Sequence, residues 1–127
     1  IDDLVVFVGQ VLDKELLAAY YKTADYFLFS STFDTFSLSS KEAAMMGTPS
    51  ILVRGSASAE GIIDGENGFL AEQTKEAWAD KIIEVQNNKD VYDKVVSNLD
   101  SVYATWDEVM DDVLEKYKEI IRKGKRG

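Results

Sequence analysis

The sequence predicts an α/β domain with a mostly parallel, Rossmann-like sheet and helices on both faces. Apolar runs without polar interruption occupy residues 4–8, 26–29 and 51–53. Such runs are typical of strands buried on both faces, as in parallel sheets. Stripes of apolar residues at helical spacing lie between and after these runs. Strands that alternate with helices form parallel α/β sheets, and we expect that class here.

The predicted elements alternate until the last third of the chain. In chain order we expect a strand over residues 4–8, a helix over 15–23, a strand over 26–29, a helix from about 37–39 to 46, a strand over 50–53, a short helix near 60–63, a strand over 68–71, and helices over 74–86, 90–104 and 105–123. No strand follows the last two helices. They are expected to pack on one face of the sheet or against a neighbouring domain.

Polar residues and helix breakers set the limits of the helices. Asp13 precedes the first helix, while Gly47 and Pro49 end the second. Thr105 and Glu108 form the S/T-x-x-E pattern of a capping box, so the last helix should begin there.

The last helix carries apolar residues at helical spacing. Val109, Val113, Tyr117 and Ile120 are expected to line its inner face.

Composition excludes several kinds of chemistry. The chain of 127 residues has no His and no Cys, which excludes imidazole bases, thiol nucleophiles, disulfides and metal sites built on either side chain. Residues 64–68 carry Asp-Gly and Asn-Gly turn signals without the ligand spacing of a calcium loop, so a turn is expected. No metal and no cofactor is expected. The net charge of −9 argues against a nucleic-acid partner.

Basic residues are concentrated at the carboxyl end. Residues 116–127 contain six Lys or Arg and one Glu. One interpretation is a solvated helix end whose cations suit the helix dipole, and the other is peripheral contact with an anionic membrane surface. No apolar run reaches the length of a membrane span, and no signal peptide is evident. We expect a cytoplasmic setting, with the inner face of the membrane as the alternative.

The loop over residues 30–40 is the strongest candidate for a binding site. It follows the strand 26–29, and ligands of parallel α/β sheets bind at the carboxyl ends of the strands. The start of the next helix offers backbone N–H groups and a positive dipole end, which suit a diphosphate. The hydroxyls of Ser37, Ser39 and Ser40 could add donors.

Two carboxylates flank this helix start. Asp34 precedes it and Glu42 lies in its first turns, and a carboxylate accepts hydrogen bonds from vicinal hydroxyls. An anion site between two such groups fits a nucleotide sugar. Purely structural roles are the alternative for these residues. Ser39 and Glu42 match a capping box, and Asp34 could accept a hydrogen bond from its own backbone. Phe33 and Phe36 could pack in the core.

These segments resemble the carboxyl-terminal, nucleotide-sugar-binding domain of retaining GT-B glycosyltransferases of family 4, the "group 1" family. The resemblance extends over about residues 4–117. It rests on five segments in the family's order, which are 7–9 (FVG), 24–31 (ADYFLFSS), 34–43 (DTFSLSSKEA), 47–51 (GTPSI) and 60–70 (EGIIDGENGFL).

The resemblance implies roles for the two acids. The family has two glutamates separated by seven residues, and this chain has Asp34 and Glu42 at those positions. Glu42 would hold the ribose hydroxyls. Asp34 would lie beside the transferred sugar as the catalytic residue, although its side chain is one methylene shorter than glutamate.

The resemblance also implies contacts with the rest of the donor. The backbone N–H groups of Phe36, Ser37 and Leu38 would face the sugar and the diphosphate, with Ser39 among the donor-binding residues. Gly9 and Gln10 would lie near the nucleobase.

The implied function is retaining transfer of a hexose from a nucleotide-diphosphate sugar to an acceptor on a bacterial polysaccharide or glycolipid. Residues 1–127 would form a single partial domain that lacks the amino-terminal acceptor domain and two strands with a basic pair. Arg54 and Lys41 are the nearest cations in this chain, and neither matches that pair, so the isolated chain is expected to be inactive. The alternative is a non-catalytic binding or interaction domain of the same fold. A flavodoxin-like phosphoacceptor domain is disfavoured because Gly9 and Gln10 stand where it needs an acidic cluster.

The family's strand order, 3-2-1-4-5-6, raises a question of pairing. Residues 4–8 would be strand 3, and its family neighbour, strand 2, is missing. A strand needs hydrogen-bond partners, so three alternatives follow for residues 4–8. They could pair with the strand 26–29, they could pair with another copy of the chain in a homo-oligomer, or the sequence could be a piece of a longer chain that supplies the partner.

Overall fold

The computed structural model describes residues 2–33 and 37–124. The helices and strands, in chain order, are α1 (Lys14–Thr23), β1 (Phe27–Phe29), α2 (Leu38–Met45), β2 (Ser50–Val53), β3 (Phe69–Ala71), α3 (Lys75–Gln86), α4 (Lys89–Ser97) and α5 (Trp106–Gly124). Short 3-10 helices occur at Asp2–Leu4, Ala57–Ala59 and Leu99–Val102. Asp34 and Phe36, two of the predicted site residues, lie outside the described residues.

The strands form a parallel sheet in the order β1-β2-β3. Leu28 pairs with Ile51 across β1 and β2, and Ile51 pairs with Phe69 across β2 and β3. The predicted α/β class is confirmed, and so are three of the four predicted strands. The central strand β2 is buried along its whole length, as the apolar run over residues 51–53 predicts.

Both faces of the sheet are covered. On one face, Ile51 and Phe69 pack in a cluster with Val85 of α3 and Val95 of α4. The other face carries a smaller cluster that includes Leu52. Helix α1 approaches this second face, where the rings of Tyr21 and Phe27 meet edge to face at 5.4 Å.

Residues 4–8 do not form the predicted strand. Leu4 ends a 3-10 helix, and the chain then runs without regular structure up to α1. Val6 and Phe7 are 80% and 94% exposed. Pairing with β1, one of the three alternatives, does not occur, because the described strands pair only among themselves. The run has a strand's composition, but no neighbouring strand supplies the hydrogen bonds that a strand needs.

Two predicted helices have different limits. Helix α4 ends at Ser97 instead of continuing to residue 104, and Leu99–Val102 forms a 3-10 helix. Asn98 interrupts the helix: its side chain donates to the Glu66 carbonyl at 3.0 Å, and its own carbonyl accepts from Ser101 Oγ at 2.8 Å.

The short helix predicted near residues 60–63 lies earlier, at Ala57–Ala59. Gly61 has a φ of +79°, which is incompatible with continuation of a right-handed helix.

The capping box of α5 forms as predicted, but the helix has no inner face. Thr105 N donates to Glu108 Oε2 at 2.7 Å, and Glu108 N donates to Thr105 Oγ1 at 3.3 Å. None of the residues of α5 is buried, and Tyr117 and Ile120 are 62% and 65% exposed. The described part of the chain therefore does not cover this apolar stripe.

Candidate functional site

The start of α2 is fixed by hydroxyl groups. Ser37 is the N-cap residue, and its Oγ accepts from Ser40 N at 3.2 Å. Ser40 Oγ in turn donates to the Ser37 carbonyl at 2.9 Å. Both serines are buried, so their hydroxyls serve the helix instead of a ligand. The alternative interpretation of Ser39 as the cap of this helix does not hold, because the cap lies two residues earlier, at Ser37.

This cap determines which amides remain for a ligand. It satisfies the amide of Ser40, and the Lys41 amide donates to the Ser37 carbonyl at 3.4 Å. The amides of Leu38 and Ser39 belong to the first turn, where a helix supplies no internal acceptor. They lie at the positive end of the helix dipole, a favourable position for an anion.

Glu42 lies between two cavities. It lines one of about 290 Å³ between α1 and α2, together with Lys14, Leu17, Tyr21 and Met45. It also lines one of about 670 Å³ between α2 and the start of α5. Its side chain therefore borders open space and is not enclosed among apolar side chains. Ribose binding requires this access.

Tyr21 of α1 contacts this carboxylate. Its hydroxyl lies beside Ser39 and Glu42. Burial raises the pKa of Tyr21, the Ser39 hydrogen bond lowers it and the Glu42 charge raises it, with a net increase. The tyrosine is therefore protonated at neutral pH and can donate to Glu42.

Sequence reasoning missed Tyr21 and Lys14 as members of this site. The available signal was their spacing of seven residues, which places both on one side of α1. Nothing in the sequence indicated that this side of α1 would face α2.

The predicted base-binding residues lie elsewhere. Gly9, with a φ of +67°, and Gln10 belong to the exposed segment before α1. Neither lines the two cavities that Glu42 borders. The structure thus brings together Ser37, Leu38, Ser39 and Glu42 but does not bring Gly9 or Gln10 into those cavities.

The two cations that the sequence offered have structural contacts. Arg54 pairs with Asp64 at 2.9 Å and with Glu72 at 3.1 Å. Lys41 Nζ donates to the Val102 carbonyl at 3.4 Å. Lys14 lines the smaller cavity together with Glu42, and Lys41 lines the larger one with it.

The described residues, 2–33 and 37–124, contain neither a cluster of metal-binding side chains nor a membrane-spanning helix. No group of three or more Asp or Glu side chains there is arranged to hold a metal ion. In the same residues, no helix combines the length and apolarity that crossing a bilayer requires.

The fold is shared with solved structures of glycosyltransferases. Sucrose-phosphate synthase from Thermosynechococcus elongatus superposes with a TM-score of 0.73 and 25% identity, covering 95% of this chain and 31% of that one. The carboxyl-terminal domain of a glycosyl transferase group 1 family protein (LpcC) from Francisella tularensis has a TM-score of 0.69 and 27% identity, covering 80% and 53%. HepE from Anabaena, solved in complex with UDP, has a TM-score of 0.66 and 24% identity, covering 80% and 28%.

This chain therefore spans between about a quarter and a half of the length of these structures. No curated protein sequence matches it significantly. The sequence profile of the family "Glycosyl transferases group 1" matches residues 1–88, more than half of the chain. On that match, together with the shared parallel α/β fold, the chain belongs to the group 1 glycosyltransferase family.

Proposed function

We propose that this chain is the donor-binding part of a retaining hexosyltransferase and that it binds a nucleoside-diphosphate sugar at the start of α2. The observation that carries the proposal is the position of Glu42. Glu42 lines two cavities, lies beside the Tyr21 hydroxyl and follows the first turn of α2. An anion site and a diol-binding carboxylate are thereby adjacent.

The diphosphate and the ribose of the donor each have a partner in this arrangement. The diphosphate would accept from the amides of Leu38 and Ser39 at the positive end of α2. The ribose hydroxyls would donate to Glu42, which Tyr21 holds in place. Lys14 would add positive charge at the wall of the smaller cavity.

The proposed transfer requires no bond to the protein. The bond between the anomeric carbon and the diphosphate breaks, and the acceptor oxygen forms its bond on the same face of the sugar. The acceptor proton passes to the leaving diphosphate, whose charge the first turn of α2 stabilises. Asp34 would contact the transferred sugar. The acceptor-binding part and the basic pair would come from the rest of a longer chain, so residues 1–127 alone are expected to bind but not to transfer.

UDP and UDP-glucose are the appropriate first probes. The Anabaena protein HepE has been solved with UDP, with UDP and glucose, and with UDP-glucose. Its likeness to this chain at 23–24% identity concerns the fold, so the choice of nucleotide and sugar is part of the proposal.

The test is calorimetric titration of the chain with UDP and UDP-glucose. Glu42→Gln keeps the size of the side chain but removes the charge, and should weaken binding by roughly ten-fold or more, because hydrogen bonds to charged groups are worth about 1.5–3 kcal/mol. Glu76→Gln, on the exposed first turn of α3, is the matched control and should bind as the wild type does. Equal affinity of the wild type and Glu42→Gln would remove Glu42 from the site.

A further inference from the structure

A cleft of about 320 Å³ lies at the carboxyl edge of the sheet. One residue that follows β1 and four residues at the start of α3 line it, namely Ser30, Gln73, Thr74, Lys75 and Trp78. Ligands of parallel α/β sheets bind at this edge, where the loops after the strands meet. None of these five residues has a part in the site described above.

Trp78 forms an aromatic wall of this cleft. It is half-buried and packs against the core cluster that contains Ile51 and Phe69. Its amide donates to the Thr74 carbonyl at 3.1 Å, so the first turn of α3 fixes its backbone. An aromatic side chain held in this way offers a large, rigid contact area, and its use in binding costs little conformational entropy.

The other side chains of the cleft are polar and exposed. Ser30 and Gln73 supply a hydroxyl and an amide, each of which can donate and accept hydrogen bonds. Thr74 Oγ1 accepts from the Ala77 amide at 3.2 Å, which leaves its hydroxyl proton available to a ligand. The side chain of Lys75 is 91% exposed, so its ion pair within α3 holds it only weakly.

An aromatic wall beside hydrogen-bonding groups matches the surface of a sugar ring. C–H groups cover the face of a pyranose, and its hydroxyls extend from the edge. No acidic side chain is among the described residues that line the cleft, so a neutral hydroxyl-rich ring fits better than a cation. The volume of the cleft is at the lower end of the roughly 300–1,000 Å³ typical of ligand sites, which suits a single ring.

We propose that this cleft binds the hexose of the nucleoside-diphosphate sugar, an inference that rests on the proposed function. In the sheet order β1-β2-β3, α1 precedes the strand at one edge and α3 follows the strand at the other. The cavity that α1 shares with Glu42 lies towards the first edge, and this cleft extends from β1 towards the second. Ribose at Glu42, diphosphate at the first turn of α2 and hexose in the cleft then follow the order of these groups in the donor.

The test is an NMR titration of the 127-residue chain with UDP and, separately, with UDP-glucose. Both ligands should shift the amides of Leu38 and Ser39, as the proposed function requires. Only UDP-glucose should also shift the indole N–H signal of Trp78 and the amides of Gln73 and Thr74, because only UDP-glucose carries the hexose.

Gln73→Ala tests the same contact by calorimetry. It removes an exposed amide from the cleft and should weaken binding of UDP-glucose by about two- to ten-fold, the value of one neutral hydrogen bond, while binding of UDP stays unchanged. Gln86→Ala, the same substitution at the other end of α3, is the matched control and should bind both ligands as the wild type does. Trp78→Leu should also weaken binding of UDP-glucose alone. Since Trp78 packs against the core, a thermal melt must show that this variant is folded.

Three outcomes would overturn the proposal. If UDP shifts Leu38 and Ser39 but UDP-glucose adds no shift at residues 73–78, the hexose lies elsewhere and the proposed function still stands. If methyl α-glucoside shifts residues 73–78 in a chain already saturated with UDP-glucose, the cleft binds a sugar other than that of the donor. If neither nucleotide binds, the proposed function fails and the hexose site fails with it.

Discussion

Asp64 joins three segments of the structure through its two carboxylate oxygens. Oδ1 accepts from the Leu70 amide at 3.0 Å. Oδ2 accepts from Arg54 at 2.9 Å and from Lys81 at 3.3 Å. These contacts tie the turn over residues 64–68 to the loop after β2, to β3 and to α3. The predicted turn is thus present, and its first residue organises the edge of the sheet.

Replacement of Asp64 by Asn should destabilise the chain by about 1–2 kcal/mol at neutral pH, because Arg54 and Lys81 lose a charged partner. Burial alone would raise the pKa of Asp64, but the Leu70 amide, Arg54 and Lys81 outweigh it and lower that pKa below its usual 3.8. Because the pKa of Asp64 is lower in the folded state, its ionised carboxylate stabilises the fold at pH values above 3.8. This stabilisation is lost as the pH falls through the folded-state pKa.

Urea unfolding at pH 7 and at successively lower pH measures this effect. The difference between wild type and Asp64→Asn should shrink as the pH falls below 4. Asp80→Asn, an exposed change on α3, serves as control and should stay within ~0.5 kcal/mol of wild type. A difference that persists unchanged at low pH would contradict the role of the charge.

At the level of residues, the sequence predicted the start of α2 better than the side chains that surround it. The loop after β1 and the start of α2 follow from general rules on strand ends and helix starts, and Ser37, Leu38 and Glu42 lie there. Tyr21 could not be predicted, because its part depends on how α1 docks against α2. That docking is set by distant contacts, among them the hydrogen bond from Thr48 Oγ1 to the Tyr21 carbonyl.

At the scale of elements, strand formation depends on neighbours as well as composition. Residues 4–8 and β2 have similar apolar runs, yet only β2 is a strand. Strand β2 lies between β1 and β3 and is paired on both sides. Residues 4–8 have no such neighbour in the described chain. An apolar run predicts that a segment can form a strand, but it does not tell which partner is present.

Hydrogen exchange should separate these two segments. The amides of Val5, Val6 and Val8 should exchange at nearly the rate of an unfolded peptide, because no strand accepts from them. The amides of Ile51 and Leu52 in β2 should be the slowest in the chain, since opening them requires disruption of the sheet. Strong protection of residues 5–8 would show that they pair with something, contrary to this structure.

On the scale of the whole molecule, the candidate site opens on the side where α1, α2 and the start of α5 meet. The cavities beside Glu42 are bordered on one side by Lys14 and Tyr21 and on the other by Trp106 and Val109. The chain spans a quarter to a half of the length of similar structures. Our proposal assigns donor binding to these residues and acceptor binding to parts of a longer chain.

The most direct test of this assignment is an amide NMR titration of the 127-residue chain with UDP and, separately, with uridine. UDP should shift the amides of Leu38 and Ser39 as well as those near Glu42, because its diphosphate reaches the first turn of α2. Uridine, which has the ribose but no phosphate, should shift residues near Glu42 and leave Leu38 and Ser39 largely unchanged. If UDP leaves the amides of Leu38 and Ser39 unmoved at saturation, the start of α2 is not the diphosphate site and the central claim fails.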